Sequence, residues 1–430
     1  MRISAIFSSA FWRPIFTLLT GSALAQLINL GLLPWLGHLY DAADFGVQGL
    51  FVAVVITALV GINGGYDQAV MLPEGESEAR ALQRLSQGIA ILGAALVALL
   101  LLAVGPWFWP YFDAPVMLEG WQWLLPLSLL LEGWMQPLRL MLNRQEAYRA
   151  LSLSRLAQAV ASGSIMLWLG YEDWGAPGLL IGWVAGELAA WLWMTTAYRL
   201  NLNKTPIPII PGQERQVAYS YRDFPQKAIG AGWLNALSRQ LPLYLLPAFF
   251  GTTISGYYFM AQRVLLMPMG LASQAIGEVF YRQASQLANK GAELLRAFTL
   301  KTTRQLAILG LIPLVLVMGL GPTVVEWIFG EEWRMTGEFA RWLMPWLYLR
   351  FITTPLTGLI DIFRRLGFQL TYNLALFFSR LISLVIAGYL LSPVPGIVLY
   401  STVSALMIAW HLWFLLGLTG VDWKALIPKR

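Results

Sequence analysis

Apolar runs of membrane-crossing length, near or above about 18 residues, recur along almost the whole 430-residue chain, separated by short polar connections. A soluble core has no use for so many of them, and the strands of about ten alternating residues that build membrane barrels are absent. The expectation is therefore an all-α polytopic membrane protein. Its composition agrees: 57% of residues are hydrophobic and 12% charged, against about 25% charged in soluble domains. Twenty tryptophans suit a protein with two lipid–water interfaces.

The longest polar stretch, Tyr198 to Phe224, divides the runs. It holds Arg199, Lys204, Arg215, Arg222, Pro206, Pro208, Pro211 and Gly212. Proline cannot occupy a helix interior without cost, and no apolar face is evident, so this reads as a semi-extended surface connector. The predicted organisation is a lobe of six helices over 1–198, a linker over 199–223 and a second six-helix lobe over 224–430. The expected spans are 11–36, 46–65, 85–109, 121–142, 151–169 and 177–197, then 225–250, 254–281, 305–329, 339–363, 368–391 and 396–418. Residues 282–304 are polar and basic and read as a surface helix.

Orientation follows from lysine and arginine. Alternate connections, beginning with the N-terminus, hold most of the loop cations. The opposite set holds only Arg334 and is otherwise acidic, with Asp41, Asp44, Asp113, Glu119, Glu172, Asp173, Glu331 and Glu332. Both termini and the linker are thus expected in the cytoplasm, and the net charge of +6 reflects topology rather than nucleic-acid binding. The first nine residues show no small-residue cleavage site, so no removable signal is expected. There is no cysteine, and His38 and His411 stand far apart. Thiolate chemistry and a cysteine- or histidine-built metal site are thereby excluded; both histidines read as interfacial. Pro34 and Gly46 in the first lobe match Pro247 and Gly256 in the second, a weak parallel repeat of the kind that places a substrate path between lobes.

Three segments carry a family resemblance. They are Leu39-Tyr40 with Asp44-Phe45-Gly46; Gly65-Tyr66-Asp67-Gln68-Ala69-Val70-Met71-Leu72-Pro73; and, in the second lobe, Phe224-Pro225, Asn235-Ala236-Leu237-Ser238, Leu241-Pro242, Gly256-Tyr257-Tyr258 and Arg263 with Pro268. Together they resemble the Wzx-type polysaccharide flippases of the multidrug/oligosaccharidyl-lipid/polysaccharide (MOP) superfamily. The resemblance implies two bundles around a central cavity and no catalytic residues or cofactor. It implies a substrate built as an oligosaccharide on undecaprenyl pyrophosphate, such as an O-antigen unit of lipopolysaccharide, turned across the bacterial inner membrane. A polysaccharide polymerase and its chain-length machinery are the implied partners.

Ionisable residues at membrane depth are functional candidates because burying one in lipid costs about 2.5–3.5 kcal/mol or more. Arg239, Arg263, Arg350 and Arg380 lie within spans of the second lobe. A guanidinium can bind phosphate bidentately and stays charged, so these four are candidates for the pyrophosphate or an acidic sugar. The alternative for each is a structural ion pair or snorkelling to an interface, which is the favoured reading for Arg155 and Arg341. Glu132 and Glu187 either couple transport to Na+ or H+ or pair with an arginine. Asp67 reads as a structural carboxylate for Arg80 or Arg84. Gln26 and Asn235, with Asn29, Asn63, Ser238, Gln240, Gln262 and Gln274, could bond sugar hydroxyls or neighbouring helices. Pro34, Pro242, Pro247 and Pro268 interrupt helices as hinges or static kinks.

Three rivals remain. A drug/cation antiporter of the same superfamily predicts an acid-rich cavity. A peptidoglycan-precursor flippase predicts two further spans. A membrane polymerase or ligase predicts a long outer loop with catalytic residues, whereas no expected outer loop exceeds roughly ten residues.

Overall fold

The computed structural model describes residues 9–204, 208 and 210–421. Arg2, Pro206 and the basic residues Lys424, Lys429 and Arg430 lie outside them. Among the described residues the ordered elements are helices: α1 (Ser9–Leu39), α2 (Ala42–Ile62), α3 (Glu76–Tyr111), α4 (Leu124–Arg144), α5 (Tyr148–Tyr171), α6 (Ala176–Lys204), α7 (Gln213–Ser220), α8 (Asp223–Ala288), α9 (Ala292–Phe329), α10 (Arg334–Thr353), α11 (Leu359–Ile362), α12 (Leu366–Leu390) and α13 (Pro393–Leu418), with short 3-10 turns between several of them. The 66-residue α8 breaks at Gly251, whose φ of 84° and ψ of 166° are not helical; only glycine adopts that region readily. With α8 divided there, helices long enough to cross a bilayer stand at all twelve expected positions.

Among the described residues, α2, α3, α6, α9, α12 and α13 are long and apolar enough to be read as spans on composition alone. Four of the other long helices carry most of the deep ionisable residues: Glu132 and Arg139 on α4, Arg155 on α5, Arg239 and Arg263 on α8, Arg341 and Arg350 on α10. Apolar side chains stay exposed along α3 (Leu92, Leu96, Leu99) and α9 (Ile308, Ile312, Val315). Trp35, Trp107 and Trp168, near the C-terminal ends of α1, α3 and α5, are exposed as well, as the lipid–water boundary favours. The protein is an all-α, multi-pass membrane protein.

By internal contacts the chain forms two compact units, Met1–Gln240 and Leu241–Arg430. In the first, α3 packs on α4, α4 on α6 and α5 on α6; in the second, α9 packs on α10, α10 on α13 and α12 on α13. The same pairing in the same order supports an internal repeat. The corner between α1 and α2 is made by Asp41, whose N–H donates to Asp44 Oδ2 at 3.1 Å. The adjacent Tyr40 hydroxyl donates to the Met166 carbonyl at 2.6 Å and ties the corner to α5.

Five expectations need correction. Residues 282–304 are not a separate surface helix. They are the end of α8 and the start of α9, joined at Gly291 with φ 146°; basic residues at two helix ends mimic one amphipathic helix. The polar stretch does have an apolar face, because Val217, Tyr221 and Phe224 recur at helical spacing. Val217 is buried in the core of the first unit, with Tyr221 and Phe224 packed against it. α3 begins at Glu76, so the charged residues 76–84 are helical and not loop. The prolines expected to interrupt helices lie within helical backbone at Pro34, Pro242, Pro247 and Pro268, and the break falls at Gly251 instead. His411 is also buried rather than interfacial, its ring 4.1 Å from that of Tyr372.

Candidate functional site

In the first unit the ionisable residues converge on α4 and α6. Glu187 is fully buried on α6. Its Oε1 accepts from Ser128 Oγ of α4 at 2.9 Å and from Trp183 Nε1, one turn earlier on α6, at 2.7 Å. Its Oε2 is buried and has no hydrogen-bond partner. Glu132, one turn beyond Ser128, binds Arg139 through both oxygens at 3.2 and 3.0 Å. The pair stands on one helix at a spacing of two turns, so the arginine anticipated across the bundle comes from α4 itself. Arg155 on α5 lies within electrostatic reach of Arg139. Four ionisable side chains from three packed helices therefore share one region.

Nearby polar groups are hydrogen-bonded between helices. Asn63 Nδ2 donates to Gln136 Oε1 at 2.8 Å, while Asn63 Oδ1 is buried with no partner. Gln87 Nε2 donates to the Trp134 carbonyl at 3.3 Å, and Trp134 Nε1 returns a bond to the Gln87 carbonyl at 3.2 Å. The Tyr198 hydroxyl donates to Gln83 Oε1 at 2.8 Å. Gln26, on α1, has a buried Oε1 with no partner. Asn235 and Arg239, exposed and one turn apart on the first half of α8, are grouped with this unit.

The second unit gathers arginines and aromatic rings. Arg380 of α12 is 4% exposed and donates from Nε to Ser404 Oγ of α13 at 3.1 Å. Its guanidinium lies 5.4 Å from the Trp346 ring of α10 and 5.6 Å from the Tyr400 ring of α13, within the range of cation–π attraction. Arg350, one turn beyond Trp346, sits 5.7 Å from the same indole. Tyr258 is buried, accepts from Gln262 Nε2 at 3.0 Å and stands edge-on to Tyr400. Arg263 lies 5.3 Å from the Phe259 ring. The structure thus brings Arg350 and Arg380 to one tryptophan. It sets Arg263 against its own helix neighbour. Arg341 is ion-paired with Glu338 at 3.2 Å, the structural alternative for that residue.

Asp67 takes neither expected partner in a resolved ion pair: Arg84 meets Glu214 of α7 at 3.3 Å, and Asp67 accepts from its own and the Gln68 N–H. Sequence reasoning also passed over Arg139, Ser128, Trp183, Trp346 and Tyr400. The signals for two of them were present: Glu132 with Arg139 at seven residues, and Trp183 with Glu187 at four, each share a helix face. The Trp346–Tyr400 meeting depends on how α10 packs on α13, which no local spacing encodes.

Compared with known families, residues 36–338 match the model for a polysaccharide biosynthesis protein. No curated protein matches the chain. Among solved structures, it resembles an inward-facing MATE multidrug resistance transporter of the MOP superfamily, with a TM-score of 0.71 and 14% identity over 93% of this chain and 96% of that one. The lipid II flippase MurJ in an inward closed conformation gives 0.68 and 13% identity over 95% and 88%. A MOP-superfamily transporter from Pyrococcus furiosus gives 0.55 and 12% identity over 95% of each chain. These neighbours are transporters and a flippase rather than enzymes, and at such identity they establish the fold. The family match covers most of the chain, and the protein belongs to the polysaccharide biosynthesis protein family, on the fold of the MOP-superfamily transporters.

Proposed function

We propose that the protein turns an oligosaccharide linked to undecaprenyl pyrophosphate from the cytoplasmic to the outer leaflet of the bacterial inner membrane by alternating access. The observation that carries this reading is the polysaccharide-family match on a transporter fold. The chemistry of the second unit supports it. Guanidinium groups beside aromatic rings suit a cargo with phosphates and sugar rings, since the planar fork binds phosphate and ring faces pack on sugars. In this reading Arg239, Arg263, Arg350 and Arg380 serve the anionic part of the cargo, Gln26 and Asn235 its hydroxyls, and Glu132 and Glu187 couple the cycle to Na+ or H+. Both termini face the cytoplasm, and the exported unit passes to a polysaccharide polymerase with its chain-length machinery, as for an O-antigen.

A drug/cation antiporter is the second reading, favoured by the carboxylates of the first unit and the likeness to multidrug transporters. One experiment separates the two. Deleting the gene from a cell with no other flippase should abolish surface polysaccharide and leave sugar-loaded undecaprenyl carrier in the cytoplasmic leaflet. In intact cells that carry the gene, a Gln213→Cys variant should resist an impermeant thiol reagent applied outside. Unaltered surface polysaccharide after deletion would overturn the flippase reading.

A further inference from the structure

The inner face of α7 is committed to the first unit. Glu214 pairs with Arg84 of α3 at 3.3 Å, and the Ala218 carbonyl accepts from the Tyr66 hydroxyl at 3.0 Å. Val217 is buried, and the Tyr221 hydroxyl donates to the Glu78 carboxylate. On the opposite face Arg215 and Tyr219 stand one turn apart, both exposed, the tyrosine by 70%. The next turn continues the coil, since the Arg222 N–H donates to the Tyr219 carbonyl at 3.4 Å. It brings the exposed Arg222 guanidinium to 4.5 Å from the Tyr219 ring. Arg215, Tyr219 and Arg222 therefore form one stripe that points away from the bundle. Neither arginine has an ion pair among the described residues. The carboxylates nearby are placed elsewhere: Glu214 is held by Arg84, Glu78 by Tyr221, and Asp223 lies in the first turn of α8.

We propose that this stripe is the cytoplasmic capture site for the cargo: Arg215 and Arg222 bind the diphosphate that joins lipid to saccharide, and Tyr219 seats a sugar ring beside it. This rests on the flippase reading above and adds a site outside the spans to the arginines within them. A guanidinium fork matches phosphate oxygens and stays charged. The tyrosine presents an apolar ring face to sugar C–H groups and a hydroxyl to sugar oxygens. Position fits as well, because α8 begins at Asp223, directly after Arg222, and then enters the span expected from residue 225. The stripe thus stands at the level where a lipid-borne phosphate meets water. Its inner contacts hold it in place beforehand, which lowers the ordering cost of binding. Orientation by positive charge asks only for cations in the loop, not for a pinned helix with a tyrosine between them. Attraction to an anionic bilayer takes clusters of about 4–8 lysines and arginines. Two arginines flanking one exposed ring suit a single anionic glycolipid head group instead.

The test uses the full-length protein in nanodiscs of neutral lipid. The probes are undecaprenyl pyrophosphate and the same carrier loaded with oligosaccharide, and wild type should bind both. Arg215→Gln/Arg222→Gln should bind both at least roughly tenfold more weakly, with an unchanged thermal midpoint because both side chains are exposed. Tyr219→Ala should bind the loaded carrier roughly threefold or more weakly and the bare carrier as wild type does. Wild-type binding by the double arginine variant overturns the capture site, and so does equal loss of both probes in Tyr219→Ala for the sugar contact. A second measurement leaves the stripe intact. Gln216→Cys, exposed beside it on a chain with no other cysteine, carries a benzophenone and should crosslink to the loaded carrier on illumination. No crosslink overturns the proposal, whatever the stability of the other variants. Loss of the crosslink when phosphatidylglycerol is added would assign the stripe to bilayer phosphate and overturn it too. Wild type that binds neither probe would instead defeat the flippase reading itself, and the capture site with it.

Discussion

Asp67 illustrates what one residue can and cannot announce. The sequence placed it just past the second span, within reach of Arg80 and Arg84. In the structure it opens the 3-10 turn Tyr66–Met71 and accepts from backbone N–H groups, while Arg84 turns to Glu214 on α7. Nothing local foretold that α7 would come back to compete for Arg84. Burial raises the Asp67 carboxyl above its ordinary 3.8, against the pull of those N–H groups. A raised native value means the folded state holds the proton more tightly than the unfolded one. The contribution of Asp67 is then complete below the ordinary value and is lost as pH rises through the raised native value. Asp67→Asn keeps an acceptor for the turn and removes the titration. Its thermal midpoint in detergent should equal or exceed wild type at neutral pH, with any wild-type advantage confined to acid. A clear loss at neutral pH that does not shrink on acidification would show that the ionised carboxylate itself holds the turn.

At the scale of elements, the twelve long helices were legible because length and hydropathy alone require them. Their ends were not. Charged residues 76–84 and 282–304 were read as loop or surface helix, yet they belong to helices that continue past the apolar stretch. A helix does not have to stop where its apolar run stops, since its backbone bonds persist in water. Close packing between helices also left little trace in the sequence. α9 and α10 meet with backbones in contact at Gly337: a Cβ there would run into the Pro322 Cα and lie 2.9 Å from the Gly321 carbonyl oxygen. Small residues allow this approach between membrane helices. Gly337→Ala should therefore destabilise the purified protein by about 1–3 kcal/mol, as overpacking does. Gly319→Ala on the same α9, where a Cβ meets nothing within 4 Å, is the control and should be neutral. Equal melting of both variants would mean the contact at Gly337 relaxes without cost.

At the scale of the molecule, class and family were legible, and the working parts only in outline. Deep arginines stood out in the sequence because an ionisable residue is rare in a span. Their partners did not: Arg380 meets Trp346 and Tyr400 from two other helices, and Glu187 meets Ser128 on α4. Such meetings depend on helix rotation, which a pattern of single residues leaves open. Each unit carries its own polar interior, carboxylates with arginine in the first and arginine with aromatic rings in the second. In the proposed function the first serves coupling and the second holds cargo, and this protein alone moves a lipid-linked saccharide across a bilayer. The direct measurement reconstitutes it in vesicles carrying undecaprenyl-pyrophosphate-linked oligosaccharide with a fluorophore on the sugar, then adds an impermeant quencher outside. Vesicles with protein should expose the inner-leaflet share of the label over time, while the Arg350→Gln/Arg380→Gln double variant at equal abundance should not. An inner-leaflet share that stays as protected as in protein-free vesicles would contradict the account.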